Sequence, residues 1–528
     1  MRRPPLPAFI ADVVAEPRAR NALLAGSAAL FAAGLDPRVW SASLPSVQAA
    51  IRERPELEAV SLVAAVIGAA LLLVGGVLGD SQRARPIVLG GLLVELVASA
   101  IALVLPDGPA FVASRFVGTA AASFVIPVSL AAVATSYHGV PRATAIGLAY
   151  GAYGASQGLG PALLQALPDS RWPAFAAAIL ACVIAIVVAR RRLPDLARPT
   201  VVERPYVVAT ALWGLGIVTL TSGIIWFGSG WDNPVRWALI LLGGLALAAA
   251  GAHDRRRQGR ATIHVERRPV AIAVFVGLIL ALAQTVPMLE LPLYFQLVLR
   301  YGPLLAIAAL GPLFAGLILA GPVAGFLLAR FAPRTLVGAG VLAVGVGDLV
   351  LALVAAPGAG YLGFVVPCVL VGAGFVVATT VRTAIIFASV PRGLPATAAA
   401  LNEASIAVGT RIGVVLVTAV VAQAALAAFS ASLGGLSGPE ADRSLAAFRD
   451  LLTAVGTPSF ADLSRGVDPA SFGPYAEAYT TGVRVALVCG AVVAIAGGAV
   501  AWLFLGRQDP LATVYEHRDE RGVGQVEA

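Results

Sequence analysis

The chain has 528 residues, of which 59% are hydrophobic and only 12% charged. A soluble protein of that length has no interior large enough for so much apolar surface, so composition alone points to lipid as the solvent. The formal charge is +8 and every basic residue is arginine. Those arginines form short runs between apolar segments, which argues against a nucleic-acid role and for membrane topology.

Hydropathy predicts fourteen spans, in chain order roughly 21–47, 58–79, 86–105, 109–136, 143–166, 172–190, 205–227, 235–252, 269–298, 303–329, 335–356, 361–389, 395–428 and 478–505. The first is read as a retained span, because no small-residue cleavage site follows an early apolar core. With the N-terminus inside, 24 of the arginines fall in the tails and inner loops and 8 in the outer loops. That bias predicts two cytoplasmic termini and a multi-pass protein of the cell (plasma/inner) membrane. The long outer connection, about 430–475, contains an amphipathic stretch over 440–455. A solvated linker helix is the favoured reading there, and a cap over the exit the competing one.

Three cysteines (Cys182, Cys368, Cys489) and four histidines show no ligand spacing, so no metal or other cofactor is expected. No nucleophile constellation marks an enzyme. The stretch GVLGDSQRAR from Gly76 is echoed by GFLLARFAPR from Gly325, and GVPRATAIG from Gly139 by GLPATAAAL from Gly393. The echoes predict six spans (21–192), two inserted spans (205–252) and six more (269–505). Tails occupy 1–20 and 506–528. In transporters with such repeats the substrate site lies between the halves.

Further stretches carry a family resemblance. They are Leu35–Pro45 (LDPRVWSASLP), Gly76 with Leu78, Asp80 and Arg85, and Arg115 with Pro127. In the fifth span they are Gly154, Gly158, Gly160 and Pro161, and in the second half Pro292–Gln296 (PLYFQ). Together these resemble the fourteen-span drug:proton antiporter branch of the major facilitator superfamily. Departures are Ser43, Arg83, Gly118 and the pair Leu164-Gln165, where the branch has Ala, Gly, Gln and a Gly pair. The resemblance implies an all-α polytopic membrane fold of two six-helix bundles plus two inserted helices. It also implies a proton-coupled exporter of small amphipathic molecules, with protons, cargo and lipid as partners. A transporter-like sensor or scaffold without flux is the alternative.

An ionisable group at mid-bilayer costs about 2.5–3.5 kcal/mol on insertion scales, so each one demands a reason. Asp36 and Glu290 are read as proton- or substrate-coupling acids. Asp36 has pairing with Arg38 as its bland account, and Glu290 an outward-snorkelling carboxylate. Arg115 is read as a cation beside the proton path, and Arg382 and Arg411 as cavity charges. Arginine does not titrate, so none of the three carries the proton. Glu95 and Asp348 are expected to be structurally paired. Glu403 lies eight residues before Arg411, too far along a helix for a direct pair. Asp80 with Arg83 and Arg85 reads as a cytoplasmic latch, its carboxylate capping a helix N-terminus or bonding an arginine. The glycines of the fifth span are read as close helix packing, with a hinge at Pro161 as the sharper version.

Overall fold

The computed structural model describes residues 13–51, 68, 71–105, 109–166, 172–194, 212–216, 219–220, 223, 234–257, 267–390, 393–433, 439–454 and 469–505. Every regular element among the described residues is helical. In a hydrocarbon medium each backbone N–H and C=O must be satisfied within the segment, and the helix does this residue by residue. Eight of the helices begin at a proline. Its ring suits the first turn, where an N–H would in any case have no intrahelical acceptor.

The first half consists of α1 (Pro17–Ile51), α2 (Leu71–Ser81), α3 (Ala84–Val104), α4 (Pro109–Ser136), α5 (Gly139–Ala166) and α6 (Trp172–Arg192). Helix α1 packs on α4, α5 and α6, and α3 on α4 and α6. Then comes α7 (Pro234–Arg257), which packs on the short helical pieces at 212–223. A Cβ at Gly243 would overlap the Leu220 backbone, and Arg236, almost wholly buried, donates from Nε to the Gly223 carbonyl at 3.4 Å. Its opposite face exposes Trp237, Leu241, Leu242 and Leu245, a surface suited to lipid.

The second half has α8 (Arg267–Leu297), α9 (Pro303–Ala308), α10 (Gly311–Leu328), α11 (Pro333–Val354), α12 (Leu362–Ser389), α13 (Pro395–Ser432), α14 (Pro439–Ala454) and α15 (Pro469–Phe504). Helix α12 packs on α10, α11 and α8, α15 packs on α11, α8 and α13, and α8 packs on α13. The span expected at 303–329 is broken by a turn at Ala309–Leu310, just before Gly311-Pro312. Helix α8 instead runs through Pro287 and Pro292, a break in the hydrogen-bond ladder that neighbouring helices make tolerable in a membrane. Ten of the described helices are long and apolar enough to cross a bilayer.

Two expectations are corrected at the outer connection. The last helix starts at Pro469, not near 478, and α14 is docked rather than solvated. Phe448 is wholly buried, with its ring centroid 4.7 Å from Phe429 of α13 and 4.8 Å from Tyr475 of α15. Burying such an aromatic outweighs the solvation of one short amphipathic helix.

The halves meet along α5 and α10, which cross in opposite directions. Gly158 abuts Phe314, Gly154 abuts Leu317, Gly151 abuts Ile318 and Gly147 abuts Gly321. The contact continues from Gly325 to Thr144. A Cβ on Gly147 would overlap the Gly321 carbonyl, and the reverse also holds. Small residues therefore set this approach, as in close-packed membrane helix pairs. Gly147→Ala is expected to lower stability by about 1–3 kcal/mol, the usual cost of overpacking. Gly244→Ala, where nothing lies within 4 Å, should leave it unchanged. Thermal unfolding of the two purified variants, compared with the parent, checks the difference.

Candidate functional site: the polar seam between the halves

The lowest layer of the seam is built by the glycines of α2. A Cβ on Gly76 would overlap Ala400 and sit 2.7 Å from the Ala396 carbonyl, and one on Gly79 would lie 2.8 Å from Ala396 Cβ. Their absence lets the end of α2 lie directly on the first turns of α13. Asp80 is thereby carried to the N-terminus of a helix from the opposite half. Its Oδ1 accepts the Ala396 N–H at 2.7 Å and its Oδ2 the Thr397 N–H at 2.9 Å. Both donors belong to the first turn, which has no intrahelical acceptor for them and carries the positive end of the helix dipole. Asp80 is 2% exposed. Arg85 does not pair with it: Nε and Nη2 donate to the Leu193 carbonyl at 3.2 and 2.9 Å, holding the end of α6. Arg83 is exposed.

A second layer lies farther along α13, at Asn402 and Glu403. Tyr150 of α5 donates its hydroxyl to Glu403 Oε1 at 2.6 Å. Asn402 Nδ2 donates to the same hydroxyl at 2.6 Å and to Glu403 Oε1 at 3.0 Å. Thr383 Oγ1 of α12 lies 3.3 Å from the Tyr150 hydroxyl. Next to this group Arg382, wholly buried, donates from Nη1 to the Ala273 carbonyl at 3.0 Å and to Ser405 Oγ at 2.8 Å. Ser405 in turn donates to the Asn402 carbonyl at 2.6 Å. Arg382 Nε and Nη2 and Asn402 Oδ1 have no hydrogen-bond partner among the described residues. A buried guanidinium with two idle donors is costly in a low-dielectric setting unless a negative group stands near. Glu403 is that group, linked through Ser405 and Asn402.

The remaining residues singled out by sequence are dispersed. The helical backbone at Asp36 is part of α1, and its side chain lies outside the described residues. Arg115 is buried with its guanidinium 5.1 Å from the centre of the Phe175 ring, and Nε donates to Ser114 Oγ at 3.3 Å. Glu290 does not snorkel, and its hydrogen-bond partner among the described residues belongs to its own half. It is buried inside the second half and accepts the Tyr479 hydroxyl at 2.8 Å. Arg411 lies on α13 beside Gly68, where a Cβ on that glycine would sit 3.4 Å from Nη2. Gly154 and Gly158 belong to the α5–α10 crossing. Gly160 is buried, and α5 continues through Pro161 to Ala166. Pro292–Gln296 is part of an aromatic core: Tyr294 and Phe295 pack on Phe364 at 5.7 and 5.2 Å, and Tyr294 donates to the Ala356 carbonyl.

Pairing holds for only one of the two acids expected to be structural. Glu95 receives a long contact from Cys182 Sγ at 3.8 Å. Asp348 is wholly buried and neither oxygen has a hydrogen-bond partner among the described residues. The helices around it, α8, α12 and α15, approach with Val286, Cys368 and Gly490. Sequence reasoning passed over Tyr150 and Asn402, and weighed Glu403 against Arg411 alone. The available signal was an Asn-Glu pair inside an apolar helix; Tyr150 carries no comparable signal of its own.

A bundle pair joined along a glycine-lined crossing and a polar seam is the architecture of a two-half, multi-pass membrane transporter. The chain belongs to the Major Facilitator Superfamily, whose family model matches residues 26–414. It is 30% identical over 357 residues to the puromycin resistance protein pur8 of Streptomyces alboniger, covering 64% of this chain and 68% of that one. Its fold resembles the human organic anion transporter MFSD10 (TM-score 0.60, 12% identity, 92% of this chain and 100% of that one). It also resembles the proton:xylose symporter XylE (TM-score 0.53, 14% identity, 95% and 99%).

Replacing Asp80 by Asn keeps the shape and removes the charge at the α13 N-terminus. Asn keeps one of the two acceptors, and a hydrogen bond to a charged group contributes about 1.5–3 kcal/mol, so losing one should open this end at least about tenfold more often. With Cys182, Cys368 and Cys489 replaced, maleimide labelling of Thr397→Cys measures that opening. The Asp80→Asn background should label faster by about that factor, and an equal rate would mean that the carboxylate does not hold this end shut.

Proposed function

We propose that the chain is a proton-coupled exporter of small amphipathic compounds, of the fourteen-span drug:proton antiporter kind, working by alternating access. In this reading it resides in the cell membrane with both termini and the Asp80 end cytoplasmic. The observation that carries the reading is the Asp80 joint. One carboxylate on the first half holds a helix N-terminus of the second by two hydrogen bonds. It can be released without disturbing either bundle, as a rocking carrier requires. The conformation is then the one closed toward the cytoplasm.

The likeness to a puromycin resistance protein supports export of a toxic compound, and the arginine bias supports the orientation. Asp36 and Glu290 are the acids assigned to coupling in the first and second halves. Arg115 is assigned to tuning the first, and Arg382 and Arg411 to the balance of charge around the cargo. Each proton moving inward supplies about 2.3 kcal/mol per 100 mV of membrane potential, added to any pH gradient.

Flux in proteoliposomes under an imposed pH gradient tests this reading, with puromycin as the probe. The expected result is gradient-driven puromycin movement that collapses when the gradient is dissipated. Asp36→Asn should abolish that movement while the protein still inserts. A sensor or scaffold would show no flux in any condition, and undiminished flux in Asp36→Asn would remove that residue from the mechanism.

A further inference from the structure

The Tyr150–Glu403 contact asks for more than helix packing. Glu403 is 6% exposed, in a seam between halves that must part if the carrier rocks. Both hydrogen bonds that reach its carboxyl arrive at Oε1, from Tyr150 and Asn402. Oε2 receives none from the described residues. The carboxyl is therefore fixed in orientation by one oxygen while the other stays available, whether or not it carries a proton.

The groups facing it are few. From α5 there is Tyr150, from α12 Thr383 and Arg382, and from α13 itself Asn402 and Ser405. From α8 the Ala273 carbonyl and Gly277 approach, both against Arg382. The next charged groups along α13 are the Asp80 carboxylate, at Thr397, and Arg411. Six and eight residues of helix put these roughly 9 and 12 Å away. Arg382 is thus the nearest fixed charge among the described residues. With Glu403 ionised, the pair is neutral; with Glu403 protonated, it carries one positive charge. A singly charged cation bound at Oε2 restores the charge that the proton gave. A neutral molecule or an anion does not.

We infer that Glu403 is a proton- and cargo-exchanging acid of the second half, with Oε2 as the exchanging atom and a protonated amine as the class of cargo it takes. Tyr150 is a positioning residue that holds Oε1 while the Asp80 end is closed. When that end opens, the Oε2 proton passes to cytoplasmic water and an N–H of the ammonium group takes its place. One proton leaves as one cation arrives, so the charge on the site is unchanged. The inference rests on the exporter reading above and adds to it a residue and a cargo class.

The test uses the full chain in lipid nanodiscs, weakly buffered with a pH-sensitive dye, titrated with puromycin as the amine probe. Wild type is expected to release about one proton per puromycin bound, by linkage between the two ligands. Glu403→Gln should release at least about fivefold less and Glu403→Asp should restore most of it, which a merely structural role would not produce. Tyr150→Phe should shift the pH at which release is half-maximal. Release from Glu403→Gln equal to wild type overturns this inference and leaves the exporter reading standing. Absence of release from wild type overturns both.

Discussion

A carboxylate from one half seated on a helix N-terminus of the other is the interaction around which this seam is organised. The N-terminus of α13 offers N–H groups that its own helix cannot satisfy, in a place that water reaches poorly. Asp80 supplies the missing acceptors, and Ala396 and Thr397 supply the donors that make a buried acid tolerable. Neither partner is well off alone. Such mutual need makes the contact strong when formed and costly to break on one side only, so it favours two discrete arrangements over a graded one.

That joint also explains an asymmetry between the two repeats. Gly76 at the end of α2 lies on the start of α13, and Gly325 near the end of α10 lies on Thr144 near the start of α5. The backbone approach is therefore duplicated, but the acid is not: four residues beyond Gly76 stands Asp80, and four beyond Gly325 stands Ala329. Arg330 instead lies over the Phe326 ring. One repeat carries a carboxylate at this turn and the other has alanine in its place. Above the fastening, α13 carries Asn402 and Glu403 to Tyr150. The same helix thus meets the first half twice, at two heights, through groups that must exchange partners if the halves part.

Much of the architecture was legible because it is written in local composition. Apolar segments, proline starts and arginine punctuation mark helices without reference to neighbours. The echo between Gly76 and Gly325 anticipated two halves meeting at equivalent turns. Asp80 was recognisable as a helix-capping acid from its turn. Its partner was not, since Ala396 lies 316 residues away. Glu403 illustrates the limit better. Scanning along α13 compares it with Arg411, eight residues on, and finds nothing within reach. Its actual partners are Asn402 beside it and Tyr150, 253 residues earlier on another helix. Asp348 misled in the opposite sense, because an acid inside a span suggests a partner and the described helices around it bring none. The docked α14 was misjudged for a similar reason: Phe448 reads as one face of a short amphipathic helix until Phe429 and Tyr475 are brought beside it.

The central claim is that Asp80 and Tyr150 fasten the two halves at one end through α13. Distance distributions between spin labels at Gln82 and Thr335, both exposed and on different halves, measure that fastening directly in the cysteine-replaced chain. A single narrow separation is predicted for the parent. In Asp80→Asn combined with Tyr150→Phe a second, longer population should appear, larger than either change produces alone. An unaltered distribution in the double variant would contradict the account.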